Sequence, residues 1–271
     1  MGEMTDRVES TAQQAAESDW LDRAIRIGLV AYGIVHLLIA WLAFQLAIGD
    51  HEGEASAKGA MKQVAEQSYG EVLLWAIAVG MFFLVIWRLL EAGFGHREEE
   101  GAKRWWKRAD SLGKAIIYGA VGYSALQVVL NAGSSKGRST TAKLMDQPFG
   151  QWLVGLVGLG IMIYGGNMVR RGFTEKFKEH LTAEGKSGEA GKWYVRLGKF
   201  GYISKGIAIL IVGGMFIYAA VEHEPKKSGG LDEALRTVLQ QPFGPVLLGI
   251  IAIGIGCYGL FCFARARYLS R

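Results

Sequence analysis

The chain has 271 residues, of which 51% are hydrophobic and 20% charged, with 38 glycines, four prolines, two cysteines and a net charge of +5. This apolar fraction excludes a disordered chain, and two cysteines are too few for a disulfide-stabilised scaffold. Collagen is excluded because its glycines are accompanied by many prolines. A large helical core and a membrane protein are the two classes that remain.

Six apolar runs are long enough to cross a bilayer as helices, because the hydrocarbon core is about 30 Å thick. Apolar residues occur on every face of these runs, which is typical of helices surrounded by lipid and by other helices. A soluble domain with six buried helices would lack amphipathic helices to cover them. We therefore predict an all-α membrane protein with six transmembrane helices, at residues 25–48, 72–94, 112–130, 152–169, 203–221 and 246–263.

The distribution of basic residues predicts the orientation of the spans. Of the 30 lysines and arginines, 21 lie near the start of the first span, in the stretches 88–114 and 170–199 around the loops that follow the second and fourth spans, or near the C-terminus. The positive-inside rule then places both termini in the cytoplasm of a bacterial inner membrane. The first span is too long for a signal peptide and is expected to stay as an anchor. The basic charge sets topology, so no nucleic-acid partner is expected.

The same features occur three times in the same order, which indicates an internal repeat. Each copy has a tryptophan 13 residues before a glycine, then a glutamine two residues before an aromatic–glycine pair, a glycine ten residues later, and an arginine that closes the second helix. These positions are Trp20, Trp106 and Trp193; Gly33, Gly119 and Gly206; Gly70, Gly150 and Gly244; Gly80, Gly160 and Gly254; and Arg88, Arg170 and Arg265.

Each copy is predicted to be a hairpin of two spanning helices. We expect a cytoplasmic N-terminal segment at residues 1–19, repeats at 20–105, 106–192 and 193–271, and one membrane domain that can close around a pseudo-threefold axis. Short amphipathic helices are expected on the outer surface at 56–67, 139–147 and 231–241. The prolines at 148 and 242 suit the first turn of the next helix, whereas the first repeat has Ser68 there, which predicts a looser start.

The repeated glycines are predicted to let helix backbones approach closely, because lipid supplies no hydrophobic drive between helices. A hinge or a ligand contact is the alternative role. The three hairpins, the Gln-Pro-Phe-Gly corners and the run from Leu74 to Gly80, followed by Ile86 to Ala92, resemble a bacterial family of triple-repeat integral membrane proteins catalogued as a domain of unknown function. The resemblance covers about residues 20–268 and implies architecture and membrane location, with no catalytic residues to carry over.

Ionisable side chains inside spans are candidate functional residues, because each costs a few kcal/mol at the bilayer centre. His36 lies near the middle of the first span and is either a ligand or proton site or a neutral histidine bonded to a neighbouring helix. Lys205 is expected to extend to the cytoplasmic interface or to bind an anion or lipid headgroup. Arg88 and Glu91 are three residues apart and can pair, as an interfacial anchor or a binding site.

Other polar groups point to packing. The amides of Gln45, Gln127, Asn131 and Asn167 are expected to bond between helices, and Cys257 and Cys262 are spaced for neither a disulfide nor a metal pair. No nucleotide-binding or hydrolase motif occurs. A haem b site between helices normally needs a pair of intramembrane histidines, and His36 is the one histidine inside a predicted span. We therefore expect no catalytic residues, no metal and no cofactor.

Three functions are compatible with these features. The first is a non-enzymatic accessory protein that binds the lipid bilayer, a bound lipid or another membrane protein. The alternative is a small-solute or ion transporter or channel that uses His36 and Lys205, although transporter repeats are usually larger bundles with broken helices. The third is a redox enzyme with haem.

Overall fold

The computed structural model describes residues 19–50, 53–95, 100–130, 145, 147, 149–224 and 228–269. Within these residues the chain forms nine α-helices and one 3₁₀ turn at Lys176–His180. The helices are α1 (Asp19–Ala47), α2 (Ala57–Ala65), α3 (Gly70–Phe94), α4 (Gly101–Val129), α5 (Gly150–Phe173), α6 (Ala183–Lys186), α7 (Gly188–Glu222), α8 (Leu231–Leu239) and α9 (Gly244–Arg267).

Six of the described helices are long and apolar enough to cross a membrane, which confirms the predicted class. They are α1, α3, α4, α5, α7 and α9. Two of them begin much earlier than the apolar runs do, since α4 begins at Gly101 and α7 at Gly188. The added turns contain lysine, arginine and tryptophan, which favour helix but lower hydropathy, so a search for apolar runs misses them.

The chain divides into two compact units, and the division falls inside α1 and α2. The first unit comprises residues 1–32 and 61–132, so its described spanning helices are the first half of α1 with α3 and α4. Here α1 and α3 approach closely at Gly28. A Cβ atom at Gly28 would lie 2.6 Å from the carbonyl oxygen of Gly80, so only glycine fits.

The second unit comprises residues 33–60 and 133–271, and its described spanning helices are the second half of α1 with α5, α7 and α9. Glycine contacts join these helices too. A Cβ atom at Gly33 would lie 2.9 Å from the carbonyl oxygen of Gly259, and one at Gly206 would lie 2.9 Å from that of Gly165. Backbones therefore pack against each other without side chains between them, as expected of helices in lipid.

Close contacts occur at most of the repeat glycines but not at all of them. Close contacts form at Gly33, Gly206, Gly70, Gly244 and Gly254, a looser one at Gly80, and Gly150 is buried at the start of α5. A Cβ atom at Gly119 would meet only Val85, at 3.9 Å, and one at Gly160 would meet no described atom within 4 Å. Packing at Gly160 was therefore a wrong prediction: this glycine is on the exposed side of α5.

The three Gln-x-aromatic-Gly corners share one hydrogen bond. The backbone N–H groups of Gly70, Gly150 and Gly244 each donate to the carbonyl of the glutamine three residues earlier, at 2.8 Å. Phe149 and Phe243 have φ of 61° and 60°, as at the third position of a type II turn, whereas Tyr69 has φ −100° and ψ 7°, as in type I. The Ser68 corner thus changes turn type without losing the bond, so it is not looser.

Short helices lie between the spans, as predicted. Helices α2 and α8 correspond to the predicted segments 56–67 and 231–241, while most of 139–147 lies outside the described residues. In α8, Leu235 and Val238 are buried, and Asp232 is buried as well because it accepts the Ala55 N–H at 2.7 Å. Pro242 precedes α9 by two residues and lies in the turn, so the first-turn placement was wrong there, and Pro148 is outside the described residues.

Candidate functional sites

In the second unit, the structure brings together the two intramembrane bases that the sequence singled out separately. His36 on α1 and Lys205 on α7 are 6% and 9% exposed. The Nζ atom of Lys205 is 2.8 Å from Nε2 of His36, which is a hydrogen bond. Lys205 therefore points to another helix and not to the interface, so the predicted extension to the cytoplasmic interface was wrong. For His36, a hydrogen bond to a neighbouring helix was one of the two predicted roles.

The ring of Tyr258 contacts both bases of the His36–Lys205 pair. The Nζ atom of Lys205 is 3.9 Å from the ring centroid of Tyr258 on α9, which is cation–π geometry. The imidazole of His36 is 5.0 Å from the same ring. Tyr202 packs edge-on against Tyr258, with 5.3 Å between centroids, and supports its ring.

The first unit holds a second polar cluster, defined by Arg88 and Glu91 on α3 and by Asp110, Ser111 and Lys114 on α4. Arg88 pairs with Glu91, as the spacing predicted, and the Ser111 hydroxyl donates to the same carboxylate at 2.9 Å. Lys114 pairs with Asp110 at 2.7 Å. The polar cluster therefore contains two cations and two anions and is charge-balanced.

Arg88 does not close its helix at the interface, which corrects the prediction for this repeat. Its side chain is 1% exposed, six residues before the end of α3, and its guanidinium lies 3.9 Å from the ring centroid of Trp87. The Nε and Nη2 atoms of Arg88 have no hydrogen-bond partner among the described residues. Arg170 and Arg265 do lie in the last turns of α5 and α9.

An apolar groove runs between α3 and α4, and no pattern in the sequence predicted it. It has a volume of about 430 Å³ and lies on the same helix pair as the polar cluster. Its lining is apolar and aromatic, and comprises Trp75, Ala78, Val79, Met81, Phe82, Val85, Tyr118, Gly119, Gly122, Tyr123 and Leu126. Gly119 leaves space open because it presents no side chain, so one of the repeat glycines forms part of the groove wall, whereas a Cβ atom at Gly122 would lie 3.0 Å from Cβ of Met81.

The remaining candidates have local roles. Gln45 donates to Asp50 at 3.3 Å and Gln127 to Tyr123 at 3.0 Å, so the described bonds of these amides stay within their own segments and not between helices. Asn131 lies outside the described residues. Cys262 is buried and Cys257 half-buried, and both are free thiols.

Six apolar helices and an internal triple repeat define a multi-pass helical membrane protein. The chain belongs to the family described as Domain of Unknown Function (DUF1206), whose family model matches residues 27–95, 109–175 and 200–269. It is similar to "Uncharacterized protein YxxB" of Bacillus subtilis (strain 168), with 29% identity over 270 residues that cover 97% of this chain and 96% of the relative. No solved structure matches the chain.

Proposed function

We propose that this protein is a non-enzymatic membrane protein that holds a lipid acyl chain in the apolar groove between α3 and α4. The observation that carries the proposal is the groove itself, an apolar space of about 430 Å³ within two membrane-spanning helices. Small-molecule sites are concave, mostly apolar and of this size. The small molecules available to a groove between membrane-spanning helices are lipids.

The shape of the groove favours an acyl chain over a helix of a partner protein. Trp75 and Val85 mark its extent on α3, which is about 15 Å at the helical rise of 1.5 Å per residue. A helix with its side chains is about 10 Å across, whereas an extended hydrocarbon chain is much narrower. A single hydrocarbon chain is the narrower occupant.

The polar cluster supplies a chemical reason for a lipid with an ester carbonyl. Arg88 follows Val85 by one turn of α3, and its Nε and Nη2 atoms have no acceptor among the described residues. Because the charges of the cluster balance, an additional acceptor need not be charged. A neutral carbonyl at the head of an acyl chain would satisfy a donor whose burial is otherwise costly.

Native mass spectrometry of the gently extracted protein tests this function. The variant Gly119→Leu fills the groove at a position with free space around its Cβ, and Gly160→Leu adds the same side chain on the exposed face of α5. We expect the wild type and Gly160→Leu to retain one lipid, and Gly119→Leu to lose it at least tenfold. Equal retention by all three, or a retained protein in place of lipid, contradicts the proposal.

A second candidate function, small-solute or ion transport, is favoured by the His36–Lys205 hydrogen bond, since intramembrane ionisable groups often mark ion pathways. Flux through liposomes that contain the purified protein tests it. The candidate requires that His36→Ala reduce flux at least tenfold relative to the wild type. Equal flux excludes a transport role for His36.

We further propose that the protein lies in a bacterial inner membrane with both termini in the cytoplasm, and that its repeats occupy residues 20–105, 106–192 and 193–271. The basic-residue distribution and the three family matches support these assignments. Cysteines introduced at Glu100 and at Ser56 are expected to react with an impermeant thiol reagent from the cytoplasmic and outer sides, respectively. The reverse labelling pattern contradicts the orientation.

A further inference from the structure

We propose that His36 and Lys205 form an intramembrane proton-binding site in which the two bases together hold at most one positive charge. In this site Lys205 is the cation and His36 is neutral, with its proton on Nδ1. The proposal goes beyond lipid binding and does not depend on it, because the groove and the pair lie in different units of the chain. It also holds whether or not the protein transports a solute.

The hydrogen bond between the two bases limits their total charge. A distance of 2.8 Å between Nζ of Lys205 and Nε2 of His36 requires one nitrogen with a hydrogen and one with a lone pair. A lysine ammonium and a histidine imidazolium have only donors at these atoms. A second positive charge on the pair is therefore incompatible with the observed bond between α1 and α7.

The ring of Tyr258 decides which of the two bases is charged. Tyr258 presents its ring to Nζ of Lys205 at 3.9 Å, and the ring face stabilises an ammonium group. The ammonium then donates to Nε2 of His36. Because a neutral imidazole carries its one proton on the other nitrogen, His36 must be protonated at Nδ1.

The groups around the pair disfavour a second charge. From α9, Tyr258 and Cys262 face Lys205, and the Tyr258 hydroxyl is hydrogen-bonded to the Cys262 thiol. From α7, Tyr202 packs on Tyr258. The cation of Arg265 interacts with Cys262 and adds to the positive potential around the pair. The site is thus built for one proton beyond the neutral pair.

The repeat itself does not require this site. At the position of Lys205 the other repeats have Tyr32 and Tyr118, and at the position of His36 they have Gly122 and Ile209. The scaffold contacts at Gly33 and Gly206 form beside the pair without any need for either base. Two bases that cost free energy in a membrane, and that the scaffold does not need, indicate a dedicated site.

Histidine ring ¹⁵N spectra of the full chain in lipid nanodiscs test the proposal. The His36 signal is the one lost in His36→Gln, and exposed His223 serves as the internal reference. We expect a neutral His36 with its proton on Nδ1 in the wild type at neutral pH. The variant Lys205→Gln keeps a donor and should preserve this tautomer, whereas Lys205→Met removes the donor and should abolish it.

A pH titration completes the test. On acidification from alkaline pH, as the neutral pair gains its one proton, the signals of His36 and of Lys205 Nζ should change at one shared midpoint, because coupled sites titrate as a pair. A proton on Nε2 of His36 in the wild type overturns the proposal, as does a tautomer that Lys205→Met leaves unchanged. Separate midpoints for the two residues overturn it as well. A displaced His223 signal would identify a misfolded variant. The wild-type tautomer and titration midpoints test the proposal even if a variant does not fold.

Discussion

The polar cluster of the first unit and the His36–Lys205 pair of the second solve the problem of polar groups in a membrane in different ways. In the polar cluster, Arg88 pairs with Glu91 on the same helix, and the Ser111 hydroxyl on α4 donates a hydrogen bond to the Glu91 carboxylate. In the pair, two bases meet across helices and the ring of Tyr258 lies against the Lys205 ammonium. The first arrangement cancels charge, whereas the second accommodates one proton.

The two sites relate differently to the internal repeat. Each repeat has an arginine near the end of its second spanning helix, and Arg88 is the one in the first repeat. By contrast, the other repeats have Gly122 and Ile209 at the position of His36, and tyrosines at the position of Lys205. The polar cluster therefore uses a residue type that all three repeats share, whereas the pair uses residues that occur in one repeat each.

The largest effect is expected from Arg88→Met, which leaves the Glu91 carboxylate without its principal counter-ion. We expect the free energy of unfolding in detergent to fall by about 3 kcal/mol. The double variant Arg88→Met/Glu91→Gln should recover at least half of this loss, because it removes the stranded charge. If the single variant is as stable as the wild type, the polar cluster does not stabilise the first unit.

A smaller effect is expected from alanine at two equivalent repeat positions, which compares packing in the two units. A Cβ atom at Gly206 would lie 2.7 Å from Val169 Cγ2, whereas one at Gly119 would meet only Val85 at 3.9 Å. Gly206→Ala should lower the free energy of unfolding by about 2 kcal/mol through overpacking. Gly119→Ala should raise it slightly, because alanine favours helix. Equal losses at both positions would show that the groove is closed.

The smallest change is expected at the His36–Lys205 pair, whose two side chains are hydrogen-bonded to each other. His36→Leu should lower the free energy of unfolding by about 1 to 2 kcal/mol, because it removes one acceptor of the buried Lys205 ammonium. His36→Leu/Lys205→Met should be close to the wild type. An additive loss in the double variant would mean that the two residues do not interact.

The fold was largely predictable, because a span of apolar residues and a repeated motif are local signals. The Arg88–Glu91 pair was predictable as well, since both residues lie on one helix. The His36–Lys205 contact was not, because 169 positions separate the two residues and only packing brings them together. The groove depends on which glycines face a neighbour: Gly119 and Gly206 look the same in sequence, yet one lines a cavity and the other a tight contact.

Photo-crosslinking with a phospholipid that carries a diazirine in its acyl chain shows directly whether a lipid occupies the groove between α3 and α4. The protein is extracted with this lipid, freed of bulk lipid and irradiated, and the labelled peptides are mapped by mass spectrometry. The account predicts that the retained lipid labels residues 75–85 and 118–126, the two walls of the groove, and that Gly119→Leu but not Gly160→Leu removes this label. Labelling spread evenly over all six spans, or unchanged in Gly119→Leu, would contradict it.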